Sequence, residues 1–319
     1  MLNSDYMIRY EQLINHLDTL GVSYVISGSS SQLLYCFKST RSTGDGGIYF
    51  FQRKNDINPD VNNSIVFSKD DFYTGFGNVF IKVDNPQLVY YKLMRSIIPL
   101  RKLACGVHPT AIVDDNSIIS KFAYVGPYCV LEDCVIKDGV YLHSHVTVMP
   151  GVVIENDVVV ESHSTIGATG VAWVWDKEAN CRVMQPQIGF TKIGAGVFLG
   201  SDVTIVRGSI NETTIIGDGC VIAHGSKIGH GSIIGKECHL ANNVSIAGNV
   251  TLGCRCFLGS GSVIRPQIII GDEVTVGAGA VVVENFDIKR GLLVGVPAKP
   301  AVINVNKMAG VPESIGLRE

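Results

Sequence analysis

Charge, aromatic side chains and paired cysteines are all scarce in this chain. Of its 319 residues 17% are charged, and the formal net charge is −3. That gives neither nucleic acid nor an anionic membrane surface anything to recognise. Aromatics make up 8%, with two tryptophans. The nine cysteines are an odd number and include no CxxC pair, which excludes a disulfide framework and makes a reducing cytoplasm the expected compartment. No apolar run approaches the roughly 18 residues of a membrane span. The opening MLNSDYMIRYEQLINHLDTLG reads as an amphipathic helix ending at Gly21, not as a secretory leader. What abounds is glycine, 35 residues, within a chain that is 46% hydrophobic. This is the composition of β-structure with many tight turns.

Steps of six residues explain that composition. From Ile112 they land on Ile118, Tyr124, Val130, Ile136, Leu142, Val148, Ile154, Val160 and Ile166. A short second run reads Ile193, Leu199, Ile205, and a third reads from Ile216 through Ile228, Ile246 and Ile264 to Val282 without a miss. Period six is the signature of a parallel β-helix. Each short strand turns one aliphatic residue inward, and three strands close a triangular coil. About eight such coils stacked at strand spacing make a prism roughly 40 Å long. Cys134, Cys220, Cys238 and Cys256 fall four places after a leader, where small interior fillers belong. Glycine directly after a leader, as in Ile228-Gly229, is corner chemistry and not a phosphate loop.

Three domains are expected: a small α/β domain over 1–106, the β-helix over 107–285, and a tail over 286–319. In the first, SYVIS, GGIYFF, SIVFS and NVFIKV read as strands, and a helix enters through Asp84-Asn85-Pro86. Residues 169–190 break the hexads and contain both Trp173 and Trp175; a long excursion of this kind commonly walls a binding site. A second interruption, VRGSINETTI, falls one residue short near Glu212.

His230 is the third residue of its hexad, at a corner, and Gly248 lies one coil later. A base beside a backbone N–H with no side chain over it is what acyl transfer to an amine requires. His145 and His163, also one coil apart, with His143 close by, raise a zinc reading that two stacked histidines support only weakly.

From residue 45 to about 285 the chain resembles LpxD, the N-acyltransferases of lipid A synthesis. GGIYFF, FIKVDNPQLVYYKLM, VHPTAIV, GATGVAWV, PQIG and TIIGDG carry that likeness. From His230 to Lys299, HGSIIGKECHLANNVSIAGNV, CFLGSGSV and GVPAKP are similar to sugar N-acetyltransferases of the PglD kind. The resemblance implies a left-handed β-helix that trimerises, with His230 as general base and the Gly248 N–H as oxyanion donor. It also implies a site for acyl-CoA near His239, Ser260, Ala278 and Lys299, and Phe50 as a remnant of a uracil platform. Departures bear on the substrate: Gln267 replaces a histidine that LpxD has, Ala223 an aspartate, and Arg53 and Asp56 an asparagine and a tyrosine. The tail after GVPAKP is short and lacks the LpxD helical extension that engages acyl carrier protein.

The expectation is therefore a mainly β protein, a left-handed parallel β-helix with a small N-terminal α/β domain. It would be a cytoplasmic, homotrimeric N-acyltransferase without a metal, moving a short acyl group from acyl-CoA to a nucleotide-linked amino sugar for cell-surface polysaccharide synthesis. Trp173 and Trp175 would join Phe50 in holding the substrate. The alternatives are LpxD proper, with a hydroxyacyl group on acyl carrier protein, and a metal-binding or non-catalytic β-helix.

Overall fold

The computed structural model describes residues 7–39, 44–51, 60–70, 76–98 and 105–301. The chain divides into two compact units, 1–102 and 103–319.

In the first unit, α1 (Tyr10–Thr19) buries Leu13 and Leu17, one turn apart on one face. Strands β1 (Val25–Gly28), β2 (Cys36–Phe37), β3 (Gly47–Phe51), β4 (Ile65–Ser68) and β5 (Val79–Lys82) form a sheet in the order β1-β5-β4-β3-β2. Helix α2 (Pro86–Ile97) starts as its sequence demands: the Asn85 side chain accepts the Leu88 N–H at 3.0 Å, and Pro86 occupies the first turn, where no N–H is needed. Alternation along the strands splits the apolar residues between two faces. Ile48, Ile65, Phe67 and Ile81 pack with Leu13, Leu17 and Leu93, whereas Tyr49, Phe51, Val66 and Phe80 form a cluster on the other side.

The second unit is the expected solenoid. Strands mostly two to four residues long stack into three sheets of nine, eight and eleven strands. The first face runs from Ile112–Val113 to Val281–Val282, the second from Ile118–Ile119 to Ile269–Ile270, and the third begins at Gly106–Val107. In regular coils the paired residues are 18 apart, as in Val263 with Val281. The leaders from Ile136 onward point inward and are almost fully buried, Ile166, Ile228, Leu240 and Ile264 among them.

The first four leaders are corrected by the structure. Ile112 and Ile118 are exposed at 68% and 66%, and Tyr124 and Val130 face outward, while Val125 and Leu131 are the buried residues. The interior therefore steps from Leu131 to Ile136 in five residues, because the turn through Glu132-Asp133-Cys134 is one residue short. The period of six survives across this deletion because Ile112-Val113, Ile118-Ile119, Tyr124-Val125 and Val130-Leu131 are each doubly apolar.

The corner chemistry also has a more specific cause. The left-handed backbone stands three residues after the leader, at Gly231, Glu237, Asn243 and Asn249. Glycine directly after a leader serves close approach instead: a Cβ on Gly229 would come within 2.5 Å of the Ala247 carbonyl carbon and the Gly248 nitrogen in the next coil. The buried cysteines do more than fill space. Cys220, Cys238 and Cys256 donate their thiols to the carbonyls of Gly235, Gly253 and Gly271 at 3.0, 3.0 and 3.1 Å. Ser226 and Ser232 do the same with hydroxyls to Ala241 and Ala247. Small interior donors thus satisfy carbonyls that the corners turn inward.

Candidate active site

The two interruptions of the repeat meet beside His230. Residues 169–190 leave the prism as an antiparallel hairpin, Trp173–Asp176 with Cys181–Met184. The returning chain docks on the second interruption: the N–H groups of Ile188 and Gly189 donate to the Ser209 carbonyl at 2.9 and 3.1 Å, and the Phe190 N–H donates to the Glu212 carbonyl at 2.9 Å. Arg207 pins the start of this segment by donating to the carbonyls of Gly167 and Pro150 at 3.0 and 2.9 Å. Glycine is needed at the contact, since a Cβ on Gly208 would lie 2.1 Å from the Glu212 carbonyl oxygen.

This packing delivers Ser209 to the imidazole. Its Oγ lies 3.2 Å from His230 Nδ1, and its own N–H donates to Glu212 Oε2 at 3.2 Å. When Nδ1–H donates to Ser209, the lone pair of Nε2 faces the opposite side. Nε2 sits against Gly248: a Cβ built there would come 2.4 Å from it. The ring thus fills the space a side chain at 248 would need, so the His230 ring and the Gly248 backbone are direct neighbours across the two coils. The His230 carbonyl accepts the Asn249 N–H at 2.7 Å, locking the two coils at this corner. Sequence reasoning missed Ser209. The one signal available was the short register near Glu212, which marks a distortion without saying which side chain it presents.

The other expected residues fall into separate groups. His239 lies on the third face, half-buried, with its ring 5.2 Å from that of Phe257. Burial pushes its pKa down, and Nδ1 has no partner among the described residues. Ser260 and Ala278 stack one coil apart at the corner between the third and first faces, where the Gly279 N–H donates to the Ser260 carbonyl at 2.9 Å. His230 occupies the corner between the first and second faces, so one chain does not unite it with these two. Lys299 is exposed and ion-paired with Glu284. Trp173 and Trp175 are exposed at 49% and 52%, with the Arg182 guanidinium 4.6 Å from the Trp173 ring. Phe50, in the first unit, packs 5.0 Å from Tyr90 and 6.1 Å from Tyr91. Arg53 and Asp56 lie outside the described residues.

His145 and His163 do stack, with centroids 4.8 Å apart and planes within 6°, and Tyr128 continues the column at 5.1 Å. His143 turns away toward Glu161, 3.5 Å from its Nε2. Among the described residues no three His, Cys, Asp or Glu side chains converge as metal ligands, and no helix is long and apolar enough to cross a membrane.

Comparison with known proteins accords with the fold. The bacterial transferase hexapeptide (six repeats) matches residues 133–168, 213–248 and 249–283, and the hexapeptide repeat of succinyl-transferase matches 191–230. A UDP-3-O-acylglucosamine N-acyltransferase of Coxiella burnetii is 30% identical, over 46% of this chain and 50% of that protein. One from Hydrogenovibrio crunogenus is 26% identical over 70% of this chain and 71% of its own. The chain spans about half the length of the Coxiella relative it matches. Among solved structures, LpxA from Acinetobacter baumannii superposes with a TM-score of 0.57 and 25% identity, covering 63% of this chain and 75% of that one. UDP-N-acetylglucosamine O-acyltransferase from Moraxella catarrhalis gives 0.57 and 26%, covering 62% and 74%. The solenoid is a left-handed parallel β-helix of hexapeptide repeats, as expected.

Proposed function

We propose that this chain, an LpxD-like hexapeptide-repeat protein, is an N-acyltransferase acting on the amino group of a nucleotide-linked amino sugar. The observation that carries the reading is the contact between His230 Nε2 and Gly248. His230 Nε2 takes a proton from the sugar amine as nitrogen attacks the thioester carbonyl. The Gly248 N–H receives the developing oxyanion. As the C–N bond forms and the C–S bond breaks, the imidazolium returns its proton to the departing thiolate. Ser209 Oγ accepts a hydrogen bond from Nδ1–H, which holds the tautomer whose Nε2 carries the basic lone pair. Such a reaction needs positioning, one base and one oxyanion donor, and no covalent intermediate on the protein.

For the acyl donor and sugar, the relatives named UDP-3-O-acylglucosamine N-acyltransferase favour the LpxD reading: a hydroxyacyl group from acyl carrier protein, in lipid A synthesis. The second reading, a short acyl group from acyl-CoA, rests on Gln267 and Ala223 standing where LpxD has a histidine and an aspartate.

The site is completed by a second copy in this reading. The third face carries an outward column of half-buried apolar side chains, from Tyr124 and Tyr141 through Phe198 to Phe257. Burying such a column is the main driving force for association, and a homotrimer would set one chain's His230 corner beside a neighbour's third face, His239 included. The test is product mass. UDP- and dTDP-linked amino sugars, UDP-3-O-acylglucosamine among them, are offered with acyl carrier protein loaded with a hydroxyacyl chain or with acetyl-CoA. A product heavier by one hydroxyacyl group supports the LpxD reading, one heavier by an acetyl group the second, and no product with either donor refutes acyl transfer.

A further inference from the structure

The two faces that meet at His230 turn different residues outward. On the first face the outward residues of five successive coils are Thr147, Thr165, Thr204, Lys227 and Ser245, each paired with the next. Val130 precedes this polar run and Val263 follows it. On the second face, the coils that carry Thr204 and Lys227 present Ile215 and Ile233. His230 stands at the corner between hydroxyls with one cation on one side and aliphatic side chains on the other.

Lys227 is the charged member of the run, three residues before His230. The other described lysines of this unit are engaged or lie elsewhere. Lys137, Lys192, Lys236 and Lys299 each pair with a carboxylate, and Lys121 lies over the Phe122 ring. Lys177 and Lys289 stand on the hairpin tip and in the tail. Lys227 pairs with no carboxylate among the described residues. Its ammonium is held by two neutral acceptors of the preceding coil: Nζ donates to the Asp202 carbonyl at 2.6 Å and to Thr204 Oγ1 at 3.1 Å. An ammonium has three donors, and a hydroxyl that accepts one bond still has its own proton to give. One N–H of Lys227 and the O–H of Thr204 are therefore left side by side, without an acceptor among the described residues. A positive charge with two adjacent donors is what a phosphate needs. Holding the ammonium in advance also lowers the ordering cost when the anion arrives.

Spacing then selects which phosphate. Three residues of extended chain separate Lys227 from His230, about 10 Å, the scale of a sugar ring together with its diphosphate. We infer that Lys227 and Thr204 bind the diphosphate of the nucleotide-linked sugar, which lies across the first face with its amine at His230 Nε2. Coenzyme A carries a diphosphate too, but the whole pantetheine arm separates that group from the thioester. The inference rests on the acyl-transfer reading above, and adds which face of the prism takes the acceptor and which residues hold it.

The test is calorimetric titration of the intact wild-type chain and of Lys227→Met with UDP, dTDP and coenzyme A. Methionine keeps an unbranched stem and removes the charge with its donors. The variant should bind the nucleotide that the wild type takes at least about tenfold more weakly, the worth of a charge-assisted hydrogen bond. Its affinity for coenzyme A and its Tm should not change. In steady-state kinetics KM for the nucleotide sugar should rise by a similar factor while kcat stays within about threefold, and Thr204→Val should shift KM the same way by less. Equal nucleotide affinity in the two proteins would overturn the assignment. So would weaker binding of coenzyme A in place of the nucleotide, or no binding of either nucleotide by the wild type. If nucleotide binding depends on Lys227 but the wild type acylates no sugar with any donor, the acyl-transfer reading is what fails, and the diphosphate site stands.

Discussion

The even coils between Thr213 and Val282 and the broken stretch between Ile166 and Thr213 belong to one prism and obey different rules. In the even coils every step is the same: Lys227 pairs with Ser245, Ser245 with Val263 and Val263 with Val281. Cys220, Cys238, Cys256, Ser226 and Ser232 all donate to carbonyls of the next coil, so thiols and hydroxyls are interchangeable as donors there, whereas the buried Ser262 hydroxyl has no partner among the described residues. In the broken stretch Thr165 pairs with Thr204 and Thr204 with Lys227, so extra chain must leave the prism twice. The excursions hydrogen-bond to each other and carry Ser209 to His230. Regularity builds a rigid frame, and the departures from it supply the hydroxyl that meets the His230 ring.

The comparison breaks most visibly at Gly248. Gly248→Ala forces a methyl group into the space of the His230 ring, 2.4 Å from Nε2, and should lower kcat by about 100- to 1,000-fold through loss of the aligned base and donor. Steady-state kinetics on the folded variant measure it. The regular coils predict a different kind of loss. Cys238→Val removes the thiol donor to the Gly253 carbonyl and should cost about 1–3 kcal/mol in stability for an unpaired buried acceptor. Cys238→Ser, which copies the bond Ser232 already makes, should cost less, and neither should change kcat; paired denaturation curves decide. Ser209→Ala should be smaller in free energy, about tenfold in kcat with KM held, the worth of about one hydrogen bond. Ser209→Thr should restore most of that loss, whereas a purely structural role would show as a lower Tm without such rescue.

How far the sequence reaches follows the same division. The hexads from Ile136 onward were legible because one interior position per step is aliphatic and its neighbours are not uniformly so. The shift between Leu131 and Ile136 was hidden because both candidate registers before it are apolar, and only packing chooses between Val130 and Leu131. His230 and Gly248 were legible because a spacing of one coil translates directly into adjacency. Ser209 was not, since its position depends on contacts between residues 188–190 and 208–212 that no local pattern encodes. The ion pair of Lys299 with Glu284 was invisible for a related reason: it forms between a corner and the returning tail, whose path the hexads do not set.

The most direct test of the account is the kcat of His230→Ala, measured with whichever sugar and donor the wild type uses, beside its thermal unfolding. The expected result is a fall of about 100- to 10,000-fold, the usual worth of a general base, with Tm essentially unchanged because the ring stands outside the interior column. Turnover within a few-fold of the wild type would contradict it, and would remove the His230–Gly248 corner as the site of acyl transfer.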